Sequence, residues 1–465
     1  MMTQTVLELQ LDGFVGPTHH FGGLSFGNLA SMMHAGWHSR PRQAARQGLA
    51  KMRQVCALGV PQAVLPPLPR PDVGFLRPVG FRGSDAEVLA QAAANAPYLL
   101  RLAMSSAFMW AANAATVIPS SDSADSRCHV VVANLTATAH RALEGPARAA
   151  MLRLLFRDAN LVVIHDPLPS NPALSDEGAA NHARLAAQQA DGGWHLFVYG
   201  RAGETLQQDL PRTFPARQCA EASRAVARLG HLQPDRALFV RQHPRAIDAG
   251  AFHNDVVMVG DGTRLLVHEY GLVEQEAVLQ ALRHHLPMLR VYQVPQRDFS
   301  LRQAVTSYLF NSQLLQTPQG AVLLAPMHSS TGAAATVIRR LLDDGFIDHV
   351  IFQDLDQSMA GGGGPACLRL RLPLTPGELA TLAPGLLLDE AKLQRLESWV
   401  DQYYRDELAP ADLADPLLLR ETQEALDMLT QLLELGALYP FQCDALAPRA
   451  RYEAGAGCKQ QEKVL

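Results

Sequence analysis

The stretch SMAGGGGPACLRLRL, residues 358–372, joins a run of bare backbone to a run of strict alternation. Gly361, Gly362, Gly363 and Gly364 carry no side chain, so a ligand can approach the main chain closely and a positive φ costs little. Pro365 stiffens the exit. Beyond it Cys367, Arg369 and Arg371 alternate with Leu368, Leu370 and Leu372, the period of a strand with one polar and one apolar face. The pattern puts the Cys367 thiol on the polar face, beside cations and at the mouth of the glycine loop, where a cysteine is set up as a thiolate nucleophile. Without that chemistry, the same residues are a Gly-rich turn entering a core strand with an incidental cysteine.

A nucleophile needs a proton carrier, and two clusters offer one. In AFHNDVVMV, His253 and Asp255 lie two apart at the expected start of a strand, so both side chains project to one face while Val256 and Met258 take the other. That pairs a proton shuttle with a fixed negative charge. In SDEGAANH, Glu177 and His182 share a small-residue loop, where the carboxylate either orients a histidine or caps a helix.

The chain between these clusters reads as alternating short strands and helices. Strands are expected at 6–11, 129–133, 161–165, 195–199, 237–241, 256–259, 265–268, 289–294, 322–325 and 350–353, with a hairpin turn at Gly260, Asp261 and Gly262. Segment 220–229 reads as a helix, as does 41–59, with Ser39 as its N-cap, Pro41 in its first turn and Gly59 as its stop. The proline-rich stretch 61–78 resembles an SH3-type ligand but reads better as a rigid surface crossing. An α/β fold of many short strands follows. Towards the C-terminus Asp389 opens a helix striped with Leu393, Leu396, Val400 and Tyr404, and Asp415 with Pro416 opens another ended by Gly436. These stripes suit a core or a subunit contact. The tail 443–465 is charged and rich in alanine and glycine, and is expected to be loose.

Composition narrows the function. The 465 residues are 48% apolar, ample for a sizeable core, and the formal net charge of -5 includes no basic block of the kind that binds nucleic acid or anionic membrane. The N-terminus lacks the features of a signal peptide, no apolar run approaches a membrane span, and the six cysteines form no CxxC pair. A cytoplasmic protein with reduced thiols is expected. Adjacent His19 and His20 suit no shared metal on a strand. His34 and His38 lack the glutamate of a zinc-protease motif, and Gly22, Gly23 and Gly27 match no nucleotide loop. What remains there is a flexible polar loop able to wrap a ligand.

The segments THHFGGLSFGNLAS, FMWAANAATVIPS, VANLTATAHRALE, DEGAANH, LFVYGR, FPARQ, FHNDVV, YLFNSQLL and GGGPACLRLR, followed by ADLADPLLLRE and ALYPFQ, resemble in order and spacing the bacterial N-succinylarginine dihydrolase family. The resemblance runs from about residue 8 to Gln442. It implies the pentein fold of guanidine-modifying enzymes, a five-bladed pseudo-symmetric ββαβ propeller, here one catalytic domain over 1–442 with additional C-terminal helices at 389–436. The implied reaction hydrolyses N2-succinyl-L-arginine with two waters to N2-succinyl-L-ornithine, two ammonia and carbon dioxide, a step of arginine catabolism. It implies no metal, no organic cofactor, and a homodimer.

Carried over by position, the family's catalytic residues fall on Cys367, His253 and Glu177. Its substrate loop falls on Gly22, Gly23, Leu24, Ser25, Phe26, Gly27, Asn28, Leu29, Ala30 and Ser31, with further substrate contacts at Asn113, His140, Arg141, Arg217 and Asp255. Carboxylates such as Asp255 and Glu177 suit a guanidinium, and Arg141 and Arg217 suit the substrate's carboxylates. The implied mechanism has Cys367 attack the guanidino carbon while His253 protonates departing ammonia and then activates water, twice over. One departure stands out. Gly361 occupies the place where the family usually carries an asparagine, so only backbone is offered there, and a neighbouring polar group or water is expected to replace the contact. Arg369, on the thiol's own face, also needs a carboxylate partner. The rival readings are a pentein deiminase or amidinotransferase releasing one ammonia or none, and a binding protein without turnover. A papain-like peptidase is disfavoured because His253 precedes Cys367.

Overall fold

The computed structural model describes residues 5–203, 206 and 209–443. Its described strands form five three-stranded sheets, each built the same way. β1 (Leu7–Gly13) runs parallel to β2 (Gln62–Leu65) after the helix Pro41–Ala57. In the second sheet β3 (Ala115–Ile118) pairs antiparallel with β4 (Cys128–Val132), which the helix Gly145–Leu155 connects to parallel β5 (Val162–His165). The third repeats this with β6 (His182–Leu185), β7 (Trp194–Tyr199), the helix Ala220–Leu229 and β8 (Ala237–Arg241). The fourth uses β9 (Met258–Asp261), β10 (Arg264–His268), the helix Gln275–His285 and β11 (Arg290–Val294). The fifth uses β12 (Gln313–Thr317), β13 (Gly320–Pro326), the helix Gly332–Asp343 and β14 (His349–Gln353). The first sheet is completed from the far end of the chain, where β15 (Arg369–Leu374) pairs antiparallel with β1 from Leu7↔Leu374 to Asp12↔Arg369.

Each sheet is therefore a ββαβ unit. The first two strands of each unit run antiparallel, joined by a tight turn in the fourth and fifth units, and the third is parallel because a helix carries the chain back across one face. β6 lies beside β9, β9 beside β12, and β15 beside β3, which brings the first strand of each unit towards the centre.

Several expectations need correction. Cys367 is not on the strand: it sits in the turn before β15, and only Arg369 onward joins the ladder. His253 and Asp255 likewise precede β9, flanking and entering a short 3-10 turn over Asn254–Val256. Ser39 does not cap the helix Pro41–Ala57; Arg40 stands at the cap position, and the Ser39 hydroxyl donates to the His19 carbonyl. The proline-rich crossing contains the buried strand β2. The polar face of β15 does not meet solvent, because Arg369 is buried and Arg371 is held between Glu8 and Asp261. Of the two places the C-terminal stripes suited, these residues take the core: Leu393, Leu396, Val400, Leu426, Leu429 and Leu433 are fully buried with Leu9, Leu11 and Leu49. From residue 444 on, the tail lies outside the described residues.

Candidate active site

The glycine loop lies at the centre of a tight set of contacts. It packs against this chain's own side chains. A Cβ on Gly363 would stand 2.2 Å from Trp110 Nε1, one on Gly364 2.8 Å from Asn311 Oδ1, and one on Gly362 (φ +104°) 2.0 Å from Asn28 Nδ2. Trp110 Nε1 donates to Ser358 Oγ, which donates to the Gly363 carbonyl, while Asn28 Nδ2 and the Tyr308 hydroxyl both donate to the Gly362 carbonyl. The loop is thus clamped, and the clamp positions the residue that follows it.

Asn311, from the turn before β12, holds Cys367 on three sides. Its Nδ2 donates to Sγ (3.2 Å), its Oδ1 accepts from the Cys367 amide (3.3 Å), and its carbonyl accepts from the Ala366 amide (2.9 Å). Cys367 is 2% exposed, and its Sγ lies 3.5 Å from Asp255 Oδ2. Burial first and the Asp255 charge second push the thiol well above its ordinary value, against the hydrogen bond from Asn311. Among the described residues no hydrogen bond or ion pair joins Arg369 or Arg371 to the sulfur, and with burial and Asp255 dominant the thiol stays protonated without a bound cation.

Asp255, whose carboxyl burial raises above its ordinary value, meets the sulfur of Cys367 and also feels the charge of His253. Glu177 Oε2 accepts from His253 Nε2 at 2.6 Å. Burial acts to raise the Glu177 carboxyl, but the His253 bond and charge, with Arg217 and Arg141 behind them, bring it below its usual range. An ionised Glu177 accepts only, so the Nε2 proton is fixed on His253 and its Nδ1, buried without a partner, is the basic atom. Glu177 Oε1 and Asp255 Oδ1 are also buried and unpartnered. Two carboxylates with free acceptor atoms, a thiol and an imidazole lone pair make a site whose missing partner is a flat cation rich in donors.

The remaining expected residues divide. Gly22, Gly23, Leu24, Ser25 and Ser31 line, with His140 and Gly361, a cavity of about 30 Å³. Ser25 Oγ and His140 Nε2 are 3.4 Å apart, and burial holds His140 well below its ordinary value, hence neutral. Asn28 caps the helix Leu29–Met33 by accepting from Ser31 N. Phe26 is exposed and packs edge-on to Phe214, Gly27 (φ +89°) bends the loop beneath it, and Leu29 packs on the apolar cluster of Phe252 and Val305. Ala30 belongs to the same short helix and does not line the cavity.

Asn113 donates to the Glu177 carbonyl (2.7 Å) and accepts from Arg141. Arg141 also holds Glu144 and the Ala107 carbonyl, so one N–H of its five is left. Arg217 stacks over Phe252, donates to the Phe26 carbonyl (2.8 Å) and lies 4.0 Å from Glu177. At Gly361, a Cβ would meet the Trp110 ring at 3.1 Å, so the indole occupies the neighbourhood that an asparagine side chain would enter. His182 is not the partner of Glu177; it faces His195 (2.9 Å). Sequence reasoning missed Asn311, Trp110 and Tyr308, whose partners lie roughly fifty to two hundred and fifty positions away along the chain.

Residues 5–442 match the family model described as succinylarginine dihydrolase. The N-succinylarginine dihydrolase of Chromohalobacter salexigens is 50% identical over 448 residues, covering 95% of this chain and 100% of the relative. That of Paraburkholderia xenovorans is 47% identical over 445 residues, covering 94% and 99%. Among solved structures, the N-terminal domain of an arginine dihydrolase from cyanobacteria matches at 14% identity with a TM-score of 0.49, covering 79% of this chain and 98% of that one.

Proposed function

This chain belongs to the succinylarginine dihydrolase family, and on that premise we propose that it hydrolyses N2-succinyl-L-arginine to N2-succinyl-L-ornithine, two ammonia and carbon dioxide. The observation that carries the assignment of roles is the convergence of Cys367, Asp255, His253 and Glu177, with three buried acceptor atoms free to receive a guanidinium. Asp255 and Glu177 hold the guanidinium. Its charge, set beside the sulfur, offsets the Asp255 repulsion and lets the thiol ionise, its proton passing to the lone pair of His253 Nδ1.

The Cys367 thiolate forms a bond to the guanidino carbon, and one amino group leaves as ammonia with a proton from His253 Nδ1. A water then adds to the same carbon, giving its proton back to Nδ1, and the carbon–sulfur bond breaks. The product is a ureide still in the site. In the second round the thiolate attacks the ureido carbon, the second ammonia leaves, and water releases a carbamate that loses carbon dioxide to give the amine. Glu177 acts throughout by fixing the imidazole and stabilising its protonated form, with Arg217 and Asn113 as further substrate contacts.

Five ββαβ units with their first strands gathered inward support a closed five-bladed propeller of the pentein type, forming with the C-terminal helices one catalytic domain over 1–442. The family resemblance supports a cytoplasmic homodimer. No helix among the described residues is long and apolar enough to cross a membrane. The test is stoichiometry: incubation with succinylarginine should give two ammonia per succinylornithine. One ammonia and an accumulating ureide would instead mark a deiminase, and binding without ammonia would end the catalytic reading.

A further inference from the structure

A second cavity, of about 100 Å³, lies among the first strands of the units. Asp255 and Ala366 form the wall towards the thiol, and Arg369, His182 and Asn254 supply polar groups around the space. The mechanism above uses none of these last three.

Arg369 is 8% exposed, and its guanidinium makes no hydrogen bond or ion pair among the described residues. Of the nearby carboxylates, Glu8 and Asp261 are engaged with Arg371 and Asp12 with Lys51, while Asp255, whose carboxyl burial raises and which feels the Arg369 charge across the cavity, makes no hydrogen bond or ion pair with it. A buried cation without a partner is costly unless something in its cavity receives its donors. Asn254 is 2% exposed, and its Nδ2 is also unpartnered.

His182 adds an acceptor whose identity follows from a chain of bonds. Asp122 Oδ2 lies 2.7 Å from His195 Nε2, and His195 Nδ1 lies 2.9 Å from His182 Nε2. Asp122, paired with Arg184 as well, is ionised and only accepts, so His195 Nε2 carries its proton. Burial keeps both rings neutral. His195 Nδ1 must then accept from His182 Nε2–H, which leaves His182 Nδ1 as a lone pair on a half-buried ring at the cavity wall.

We propose that this cavity binds bicarbonate. A planar anion with charged oxygens on one side and one O–H on the other meets Arg369 and Asn254 with its acceptors and His182 Nδ1 with its donor. The choice of ligand rests on the proposed activity, because the carbon dioxide it releases stands largely as bicarbonate in neutral water. The site is separate from the substrate loop and shares with the catalytic groups only the wall at Asp255, so product carbon acts on the enzyme without entering the substrate pocket.

The test titrates ¹³C-bicarbonate into the resting protein at constant pH and ionic strength and follows line broadening, with nitrate as a planar anion lacking the O–H. Saturable binding is expected, weakened at least tenfold in Arg369→Gln, with the preference for bicarbonate over nitrate lost in His182→Leu. In the unmodified enzyme, bicarbonate should inhibit succinylarginine turnover non-competitively. Absence of saturable binding, or competition with substrate, would overturn the proposal, as would unchanged binding in a folded Arg369→Gln protein. If succinylarginine is not turned over at all, the resting titration still decides whether the anion site exists.

Discussion

The Cys367 sulfur is held by Asn311 on one side and faces Asp255 on the other, and these two neighbours act in opposite directions on the thiol. Asp255→Asn removes the repulsion, so the free enzyme's thiol should ionise at lower pH and react faster with iodoacetamide near neutrality. Succinylarginine turnover should nonetheless fall by about a hundredfold or more, because a guanidinium holder is lost. Alkylation rate against pH, measured beside steady-state kinetics, checks both halves. In the parent the same rate should climb steadily above neutral pH and rise when an arginine-derived cation is bound. Asn311→Ala removes the donor to the sulfur together with the acceptor for the Cys367 amide. We expect kcat to fall about tenfold to a hundredfold, with a smaller change in KM, since positioning of the nucleophile is what is lost. None of this was legible at Asn311 itself, which sits in an unremarkable YLFNSQLL. Only the fold brings residue 311 to residue 367.

Between elements, the helix Pro41–Ala57 is fastened to β1 by a buried ion pair, Lys51 with Asp12, where Gln62 of β2 donates the second bond to the carboxylate. Lys51→Met should cost about 3–5 kcal/mol, because it leaves Asp12 charged and buried, and Lys51→Met with Asp12→Leu should recover much of that loss. Chemical denaturation of the two variants measures it. The elements read correctly from sequence were mostly the middle and outer strands of the sheets, such as β7, β8 and β13, whose aliphatic and aromatic runs end at turn residues. Those missed were β2, β3, β6 and β12, four or five residues each. β3, β6 and β12 are first strands of their units. Too short for a period to show, strands near the centre carry residues such as His182, Arg184 and Gln313 that alternation reads as loop. The striped C-terminal helices were recognised as helices, but whether their apolar faces met this chain or another was not written in the stripes. Burial against Leu9 and Leu11 decided it.

Over the whole molecule, the first sheet is assembled from both ends of the chain, and β1 is its middle strand. Deleting residues 1–13 should therefore abolish cooperative unfolding rather than trim an edge, because β2 and β15 lose their common partner; circular dichroism and thermal melts test this. The catalytic groups are almost wholly enclosed, and the cavity beside the loop of residues 22–31 is far smaller than the several hundred Å³ usual for a ligand site. Arg217 and Gly362 hold that loop in place at Phe26 and Asn28. The amino-acid sequence by itself determined the α/β class, the helix starts at Asp389 and Asp415 and most of the hairpin and crossover strands, and through family likeness it supplied the roles proposed for Cys367, His253 and Glu177. These follow from periodicity, capping and residue order, which act over a few positions or are matched position by position. The tertiary structure alone decided that the thiol faces a carboxylate instead of cations, that the glycines make room for Trp110, Asn28 and Asn311, and that Arg369 looks into a central cavity. Electrostatic environment and close packing are set by groups far apart in the chain, and local pattern carries no record of which of them will meet.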